Sequence, residues 1–129
     1  MPRRVPPLRI LVADDEPGVG RLVQDGLSRS GYAVDVTPDG REALTRYRPG
    51  DYDLLILDSM LAKRSGLELV SKIRNAGDDV PIILTSGSVP GAGRVEPFAF
   101  TYRVELLRKP FGLRDLREAV ERAVRRPTG

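Results

Sequence analysis

Polar or charged side chains follow four separate apolar runs of the sequence, and their types suit metal and phosphate chemistry. These side chains belong to Asp14 and Asp15, Asp58, Ser86 and Lys109. Carboxylates are typical ligands of Mg²⁺, which takes one or two of them and keeps several waters. A hydroxyl and an ammonium both donate hydrogen bonds to phosphate oxygens. The set therefore indicates a metal-assisted reaction in which a carboxylate attacks phosphorus.

Each of these residues also has an ordinary structural explanation when it is considered alone. Adjacent aspartates after a strand are more often a loop and helix cap than a functional pair. A lone aspartate or serine at a strand end is common in turns, and a lysine before a proline is usually solvated. A functional interpretation therefore depends on the fold bringing these residues to one place.

Five short apolar runs predict the strands that would do so. The predicted strands are 8–13, 32–36, 53–58, 81–86 and 104–108. Strands that are apolar almost throughout and alternate with helices are typical of a parallel sheet covered on both faces. In such a sheet, ligands bind outside the carboxyl ends of the strands, at the point where the strand order reverses.

The predicted helices differ in the strength of their signals. Pro17 suits the first turn of a helix that ends near Gly31. Ser65 and Glu68 have the spacing of a capping box. The segment 87–101 is different, because its prolines and glycines disfavour a helix. We expect the fourth helix to be short, irregular or mobile.

The composition indicates one globular domain and excludes several kinds of site. The sequence has 129 residues and a net charge of +3, with no cysteine and no histidine. Disulfides, cysteine or histidine zinc sites and Ser-His-Asp triads are thereby excluded. No segment has the features of a signal peptide or a membrane span, so we expect a cytoplasmic protein. We expect residues 8–125 to form the domain, with a loose N-terminus (1–7) and a C-terminal tail (126–129).

Four motifs together resemble the receiver domain of two-component response regulators, of the stand-alone, chemotaxis-regulator type. The motifs are Leu11-Val-Ala-Asp-Asp-Glu16, Asp53-Leu-Leu-Ile-Leu-Asp58, Pro81-Ile-Ile-Leu-Thr-Ser86-Gly87 and Lys109-Pro-Phe111. The resemblance runs from about Leu8 to Val124. It implies a flavodoxin-like α/β fold, a doubly wound sheet of five parallel strands in the order 2-1-3-4-5 with helices on both faces. In that order the reversal point lies between strands one and three, which end at Asp14-Asp15 and Asp58.

The resemblance also implies a role for each site residue. Asp58 accepts the phosphoryl group as an acyl phosphate, and Ser86 and Lys109 bind its oxygens. Asp15 is the closer acidic ligand of Mg²⁺ (or Mn²⁺), and Asp14 acts largely through water. The implied metal ligands are Asp14, Asp15, Asp58 and the backbone carbonyl of Met60. Three carboxylates so close together need a cation, and Lys109 with Mg²⁺ balances their charge.

The same resemblance implies the partners. Because the sequence has no histidine, the phosphoryl donor must be another molecule: a sensor histidine kinase, a phosphotransfer protein or a small acyl phosphate. The output is a changed protein-binding surface on the face of helix 4, strand 5 and helix 5. We expect a monomer or weak dimer that contacts neither nucleic acid nor membrane. It would catalyse only its own phosphorylation and dephosphorylation and would not be an enzyme for external substrates.

Two departures from the family pattern affect the output face. Leu106 stands three positions before Lys109, where the family usually has an aromatic residue that alternates between buried and exposed states. Leucine has no polar tip for such a change, so we do not expect aromatic switching. The segment 87–101 falls on the same face.

Three other functions agree with parts of the sequence. A receiver-like scaffold would bind partners without phosphorylation, although the complete set of site residues argues against it. An aspartate-nucleophile phosphatase would have Asp-x-Asp after its first strand, whereas this strand is followed by Asp14-Asp-Glu16. A nucleic-acid binder would use the arginines of the last helix, but these alternate with acidic residues as on a solvated face.

Overall fold

A computed structural model describes residues 7–61, 65–87 and 95–125, which form five β-strands alternating with five α-helices. The strands are β1 (Arg9–Ala13), β2 (Ala33–Thr37), β3 (Leu54–Asp58), β4 (Ile82–Ser86) and β5 (Glu105–Arg108). The helices are α1 (Pro17–Arg29), α2 (Gly40–Arg46), α3 (Gly66–Asn75), α4 (Val95–Tyr102) and α5 (Leu113–Arg125). Neighbouring strands are parallel and follow the order β2-β1-β3-β4-β5. The predicted fold is confirmed.

The sheet separates two apolar cores. Successive side chains of a strand point to opposite faces, so Leu55 and Leu57 join one core while Leu54 and Ile56 join the other. The first core packs against α2, α3 and α4, and the second packs against α1 and α5. Each fully buried leucine or isoleucine stabilises the fold by about 1.5–3 kcal/mol. The two cores therefore hold the strands in register and fix the positions of their carboxyl ends.

Two helices begin at side-chain caps. The Ser65 hydroxyl accepts a hydrogen bond from the backbone N–H of Glu68 (3.2 Å), as its capping-box spacing predicts. The Asp39 carboxylate accepts one from the backbone N–H of Glu42 (2.8 Å) at the start of α2. Each cap satisfies a donor that the first helical turn leaves without a partner.

The fourth helix is short, as predicted, with eight residues. Pro97 lies in its first turn, where a missing N–H breaks no helical hydrogen bond. Residues 95–101, which we expected to be irregular, form regular helix because this position of the proline is tolerated. Residues 88–94, which hold the rest of the proline and glycine signal, lie outside the described residues.

The strand boundaries differ from the predicted ones by a single residue. β2 extends to Thr37, whose buried hydroxyl donates to the carbonyl of Val12 (3.2 Å). The predicted loose segments 1–7 and 126–129 lie, apart from Pro7, outside the described residues. Every helix in the described part of the chain is too short or too polar to cross a bilayer.

Candidate functional site

The carboxyl ends of β1, β3, β4 and β5 bring four of the predicted site residues to one edge of the sheet. Asp14 follows β1, Asp58 and Ser86 end β3 and β4, and Lys109 follows β5. The register pairs Asp58 with Thr85 and places Ser86 beside the last residue of β5. The backbone N–H of Lys109 also donates to the Ser86 carbonyl (2.7 Å). The register of the strands therefore sets the position of each side chain along the edge of the sheet.

The Lys109 ammonium lies at the centre of this edge and contacts three carboxylates. Its Nζ is 3.0 Å from Asp14 Oδ2, 3.0 Å from Asp58 Oδ2 and 3.1 Å from Glu16 Oε1. The Asp14 and Asp58 side chains are almost fully buried, whereas the Glu16 side chain is 63% exposed. Lys109 thus compensates two buried negative charges and one exposed charge.

Backbone hydrogen bonds fix the two buried carboxylates. Asp14 Oδ1 accepts from the backbone N–H of Glu16 (2.9 Å), and Asp58 Oδ1 accepts from the backbone N–H of Met60 (3.0 Å). In both residues one oxygen is held by the following turn and the other faces Lys109. The turns after β1 and β3 thereby orient both acidic groups toward a common point.

The electrostatics of the edge follow from burial and crowding. Burial raises the pKa of Asp14, and the nearby charge of Asp58 raises it further, against the opposing effect of hydrogen bonds from the Glu16 backbone and Lys109. Burial by itself would lower the pKa of Lys109. Hydrogen bonds to Asp14, Asp58 and Glu16 outweigh that effect, and the pKa of Lys109 lies above its ordinary value. Lys109 is therefore cationic throughout the physiological range.

Glu16, rather than Asp15, lies beside Asp14 and Asp58 in the structure. The family resemblance implies a ligand role for Asp15, which stays a prediction, and implies none for Glu16. In the structure Asp15 is exposed, and Glu16 joins Asp14 and Asp58 in a cluster whose oxygens lie within 4.8 Å of one another. No motif or hydrophobic pattern in the sequence identifies this contact of Glu16, because it depends on the conformation of a side chain that is 63% exposed.

The donor set of this cluster suits a hard divalent cation. Within the described ranges, Asp14, Glu16 and Asp58 are the carboxylates grouped closely enough to share an ion. Carboxylate oxygens without nitrogen or sulfur ligands are what Mg²⁺ and Mn²⁺ prefer. The ligand roles predicted for Asp15 and the Met60 carbonyl stay predictions.

The two hydroxyls at the end of β4 have different surroundings. Ser86 is buried, and its Oγ makes only a long contact with the Gly87 carbonyl (3.4 Å). Thr85 is buried beside Asp58 in the register, and among the described residues its Oγ1 is the one buried side-chain oxygen or nitrogen without a hydrogen-bond partner. Ser86 is therefore weakly held and able to change partner.

Gly66 is required by a close approach to the site. A Cβ atom at this first residue of α3 would lie 2.1 Å from the backbone carbonyl oxygen of Asp58. Only glycine allows α3 to start so close to the end of β3. This contact supports the turn that carries Met60.

An open groove reaches the site from the side of α1. It encloses about 440 Å³, and its apolar walls come from α1 and from the turn after β5. The lining residues are Glu16, Val19, Leu22, Gly87, Lys109, Pro110 and Phe111. Lys109 and Glu16 line this groove, so a molecule bound there would lie beside the acidic cluster.

Ion pairs connect the three elements of the predicted output face, which are α4, β5 and α5. Arg108 on β5 contacts Glu96 on α4 (2.6 Å), and Arg122 on α5 contacts Glu105 on β5 (3.0 Å). Leu106, at the position of the usual aromatic residue, is partly buried against the core that α4 covers. These contacts link α4, β5 and α5 without an aromatic side chain at that position.

The sequence matches one protein family over most of its length. The model of the response regulator receiver domain matches residues 10–121. The response regulator MprA of Mycolicibacterium vanbaalenii is 35% identical over 122 residues, which are 95% of this chain and 52% of that protein. The transcriptional regulatory protein RprY of Bacteroides fragilis is 30% identical over 95% of this chain and 51% of its own length. The chain spans about half the length of the curated relatives it matches.

Solved structures show the same fold. The non-phosphorylated receiver domain of HemR from Leptospira biflexa has a TM-score of 0.83 and 27% identity, covering 95% of this chain and 98% of that one. A response regulator receiver domain protein from Clostridium thermocellum has a TM-score of 0.83 and 26% identity, with coverage of 92% and 94%. This chain covers nearly the whole of both structures.

Proposed function

Because this chain belongs to the response regulator receiver domain family, we propose that it is a signalling switch that accepts a phosphoryl group on Asp58. The observation that carries the proposal is the contact of one ammonium, that of Lys109, with the buried carboxylates of Asp58 and Asp14, each at 3.0 Å. Receiver domains are signalling domains of two-component systems rather than enzymes for external substrates. Self-phosphorylation and self-dephosphorylation are accordingly the only reactions proposed.

The acidic cluster would hold the metal ion. We assign Mg²⁺ or Mn²⁺ to Asp14, Asp15, Asp58 and the backbone carbonyl of Met60, and the clustering of Asp14 and Asp58 supports the assignment. When bound, the ion supplies positive charge that reduces repulsion between an attacking carboxylate and a phosphoryl group. Lys109 contributes a second positive charge from the carboxyl end of β5.

Transfer requires one bond to form and one to break at phosphorus. A carboxylate oxygen of Asp58 forms the new P–O bond while the P–N bond of a phosphohistidine in the donor protein breaks. The electron pair of the P–N bond stays with the imidazole, and Asp58 becomes an acyl phosphate. The backbone N–H of Met60 holds the carboxylate at 3.0 Å and so presents it to the donor.

Ser86 would then transmit the presence of the phosphoryl group to the rest of the domain. Its hydroxyl has only a long contact of 3.4 Å to exchange for a phosphoryl oxygen. Movement of Ser86 would pull on the segment after β4, which leads into α4. The affected surface is the face of α4, β5 and α5, which we propose as the binding site for a downstream protein.

The partners are proposed from family membership. Receiver domains of response regulators interact with histidine kinases, and we propose a sensor kinase or phosphotransfer protein as the donor. The groove beside Lys109 supports this, because it gives a protein direct access to the acidic cluster. We further propose a cytoplasmic domain over residues 8–125 that is monomeric or weakly dimeric and does not contact nucleic acid itself. The activity of a longer protein, such as the relatives of twice this length, is not assigned.

Beryllofluoride, a mimic of the phosphoryl group, tests the proposal. We expect the protein to bind it only with Mg²⁺ present, with a rise in Tm and shifts of backbone NMR signals around Asp58 and Ser86. The matched variant Asp58→Asn keeps the shape of the side chain but removes the acceptor, and we expect no binding. Absence of binding to the wild type, or equal binding to the variant, would favour a scaffold that acts without phosphorylation.

A further inference from the structure

We propose that Glu16 is a positioning residue that holds Lys109 in the unphosphorylated protein and releases it when a phosphoryl group arrives. Glu16 would thereby weaken phosphoryl binding and set its affinity. The inference rests on the proposed function, since it concerns the same site. It adds a competitor for Lys109 that the sequence prediction did not contain.

Lys109 has a limited number of hydrogen-bond donors. An ammonium has three N–H groups. Three carboxylate oxygens, from Asp14, Asp58 and Glu16, lie between 3.0 and 3.1 Å from Nζ. A phosphoryl oxygen that binds Lys109 must therefore displace or share the place of one carboxylate.

The three carboxylates around Lys109 differ in burial, and this difference identifies the one that leaves. The side chains of Asp14 and Asp58 are 4% and 7% exposed, and each has its other oxygen bound to a backbone N–H. The Glu16 side chain is 63% exposed. Water can solvate Glu16 after release, whereas a displaced Asp14 would remain as a buried charge. Glu16 is the acceptor that costs least to remove.

The backbone of Glu16 is anchored to the start of α1. Its carbonyl accepts hydrogen bonds from Val19 (3.0 Å) and Gly20 (3.1 Å) at the start of α1. Its side chain makes no capping hydrogen bond to that helix. Rotation of the side chain is therefore enough to release Lys109, and α1 need not move.

A different role for Glu16 makes the opposite prediction. Its oxygen belongs to the cluster within 4.8 Å that can share an ion. If Glu16 were a metal ligand, its removal would weaken Mg²⁺ binding and with it the binding of any phosphoryl mimic. If it competes for Lys109, its removal tightens the binding of the mimic at saturating Mg²⁺.

The test compares beryllofluoride affinity in four proteins at saturating Mg²⁺. Glu16→Gln removes the charge, and Glu16→Asp keeps the charge but shortens the side chain by one methylene, so that it no longer reaches Lys109. Glu118→Gln on α5 is the control, because it removes one exposed glutamate that pairs with Arg114 away from the site. We expect about two- to fivefold tighter binding for both Glu16 variants, the range for a partly exposed ion pair, and no change for the control.

Lysine side-chain NMR follows the contact directly. The chain has lysine only at positions 63, 72 and 109, so the ¹⁵Nζ signals are few. Without beryllofluoride, we expect Glu16→Gln to shift the Lys109 signal and leave the Lys72 signal unchanged. With beryllofluoride bound, the Lys109 signals of wild type and variant should coincide, because Glu16 has already left.

The outcomes separate this inference from the proposed function. A wild type that does not bind beryllofluoride contradicts the proposed phosphoryl switch, whatever Glu16 does. A wild type that binds, with unchanged or weaker binding in Glu16→Gln, overturns the role of Glu16 alone. Glu16→Asp behaving as wild type would show a general effect of charge and would also overturn it. A persistent Lys109 shift in the bound state, or tenfold weaker Mg²⁺ binding by Glu16→Gln, would do the same.

Discussion

Among the single residues of the site, the buried carboxylate of Asp14 lowers the stability of the folded protein. Asp14 and Asp58 are buried side by side at the carboxyl ends of β1 and β3, and Lys109 compensates both. Burial and the neighbouring charge of Asp58 raise the pKa of Asp14. A raised carboxyl pKa means that the ionised form is less favourable in the folded protein than in the unfolded chain. The charged state of Asp14 therefore opposes folding when no metal is bound.

Asp14→Asn should stabilise the metal-free protein at pH 7. The amide keeps an oxygen for the backbone N–H of Glu16 and removes the buried charge, and we expect the free energy of unfolding to rise. In the wild type, the folded state takes up a proton on Asp14 as the pH falls through its raised pKa toward the ordinary value of 3.8. This uptake stabilises the wild type, so the advantage of the variant should shrink over that pH window.

Urea denaturation from pH 7 to pH 4, in the presence of a chelator, measures both effects. Asp115→Asn on α5 removes an exposed aspartate and is the control. A variant that is less stable than the wild type at pH 7 would contradict the assignment of Asp14 as a net unfavourable charge.

Site residues that the strands position could be predicted from the sequence, whereas a contact that depends on side-chain conformation could not. Asp14, Asp58, Ser86 and Lys109 end or follow apolar runs, and the strand register alone brings them together. Glu16 was missed because its contact with Lys109 depends on the conformation of a long, exposed side chain, which no hydrophobic pattern encodes. The ligand role of Asp15 came only from the resemblance, and it stays a prediction.

At the scale of secondary structure elements, one arginine ties three segments together. The Arg74 guanidinium, near the end of α3, donates to the carbonyls of Tyr102 (2.8 Å), Val80 (2.7 Å), Asp78 (3.0 Å) and Arg103 (3.3 Å). Tyr102 ends α4 and Arg103 follows it, whereas Asp78 and Val80 precede β4. Arg74 is half-buried, so these carbonyls have limited access to water. The end of α4 that lies farther from the acidic cluster is thereby fixed.

Arg74→Lys should loosen this junction although it keeps the charge. One ammonium cannot span the four carbonyls that the planar guanidinium reaches. We expect a loss of about 2–4 kcal/mol in the free energy of unfolding, since unmet buried acceptors cost about 1–3 kcal/mol each. Backbone hydrogen exchange should rise at Arg103 and Val104, whose N–H groups bond back to α4.

The control for the junction is Arg114→Lys, at a side chain that is 88% exposed on α5. We expect it to change stability by less than about 0.5 kcal/mol. Arg74→Lys with the same small effect and unchanged exchange would show that α4 is held by its apolar contacts alone.

The helices also show where sequence patterns succeed. The Ser65 cap followed from a short-range motif, and the structure contains the predicted hydrogen bond. α4 was expected to be short, but its regular course over 95–101 was not expected. The proline and glycine count of a segment does not distinguish a proline in the first turn from one in the interior, and only the former is tolerated.

In the molecule as a whole, the doubly wound sheet would couple metal binding to folding. The acidic residues come from different strands, so the unfolded chain has no site with comparable affinity. Mg²⁺ at ten times its Kd should therefore raise the free energy of unfolding by about 1.4 kcal/mol. A chelator should reverse the rise, which is measured by thermal or urea unfolding at several Mg²⁺ concentrations.

Asp58→Asn and Asp14→Asn should both reduce this Mg²⁺ effect, because each removes a carboxylate of the cluster. Protons compete with the metal for these carboxylates, so the effect should also fade as the pH falls toward the raised pKa of Asp14. An equal rise in both variants would place the metal elsewhere.

The position of Lys109 along the chain has a consequence for the life of the protein before it signals. Its contacts with Glu16 and Asp58 join residues 93 and 51 positions apart. Lys109 follows β5, the last strand and an edge strand of the sheet. A growing or truncated polypeptide that stops before residue 109 lacks the cation that contacts the buried carboxylates. If Asp58 accepts phosphoryl groups as proposed, an incomplete chain would therefore lack the full site and would not draw phosphate away from finished molecules.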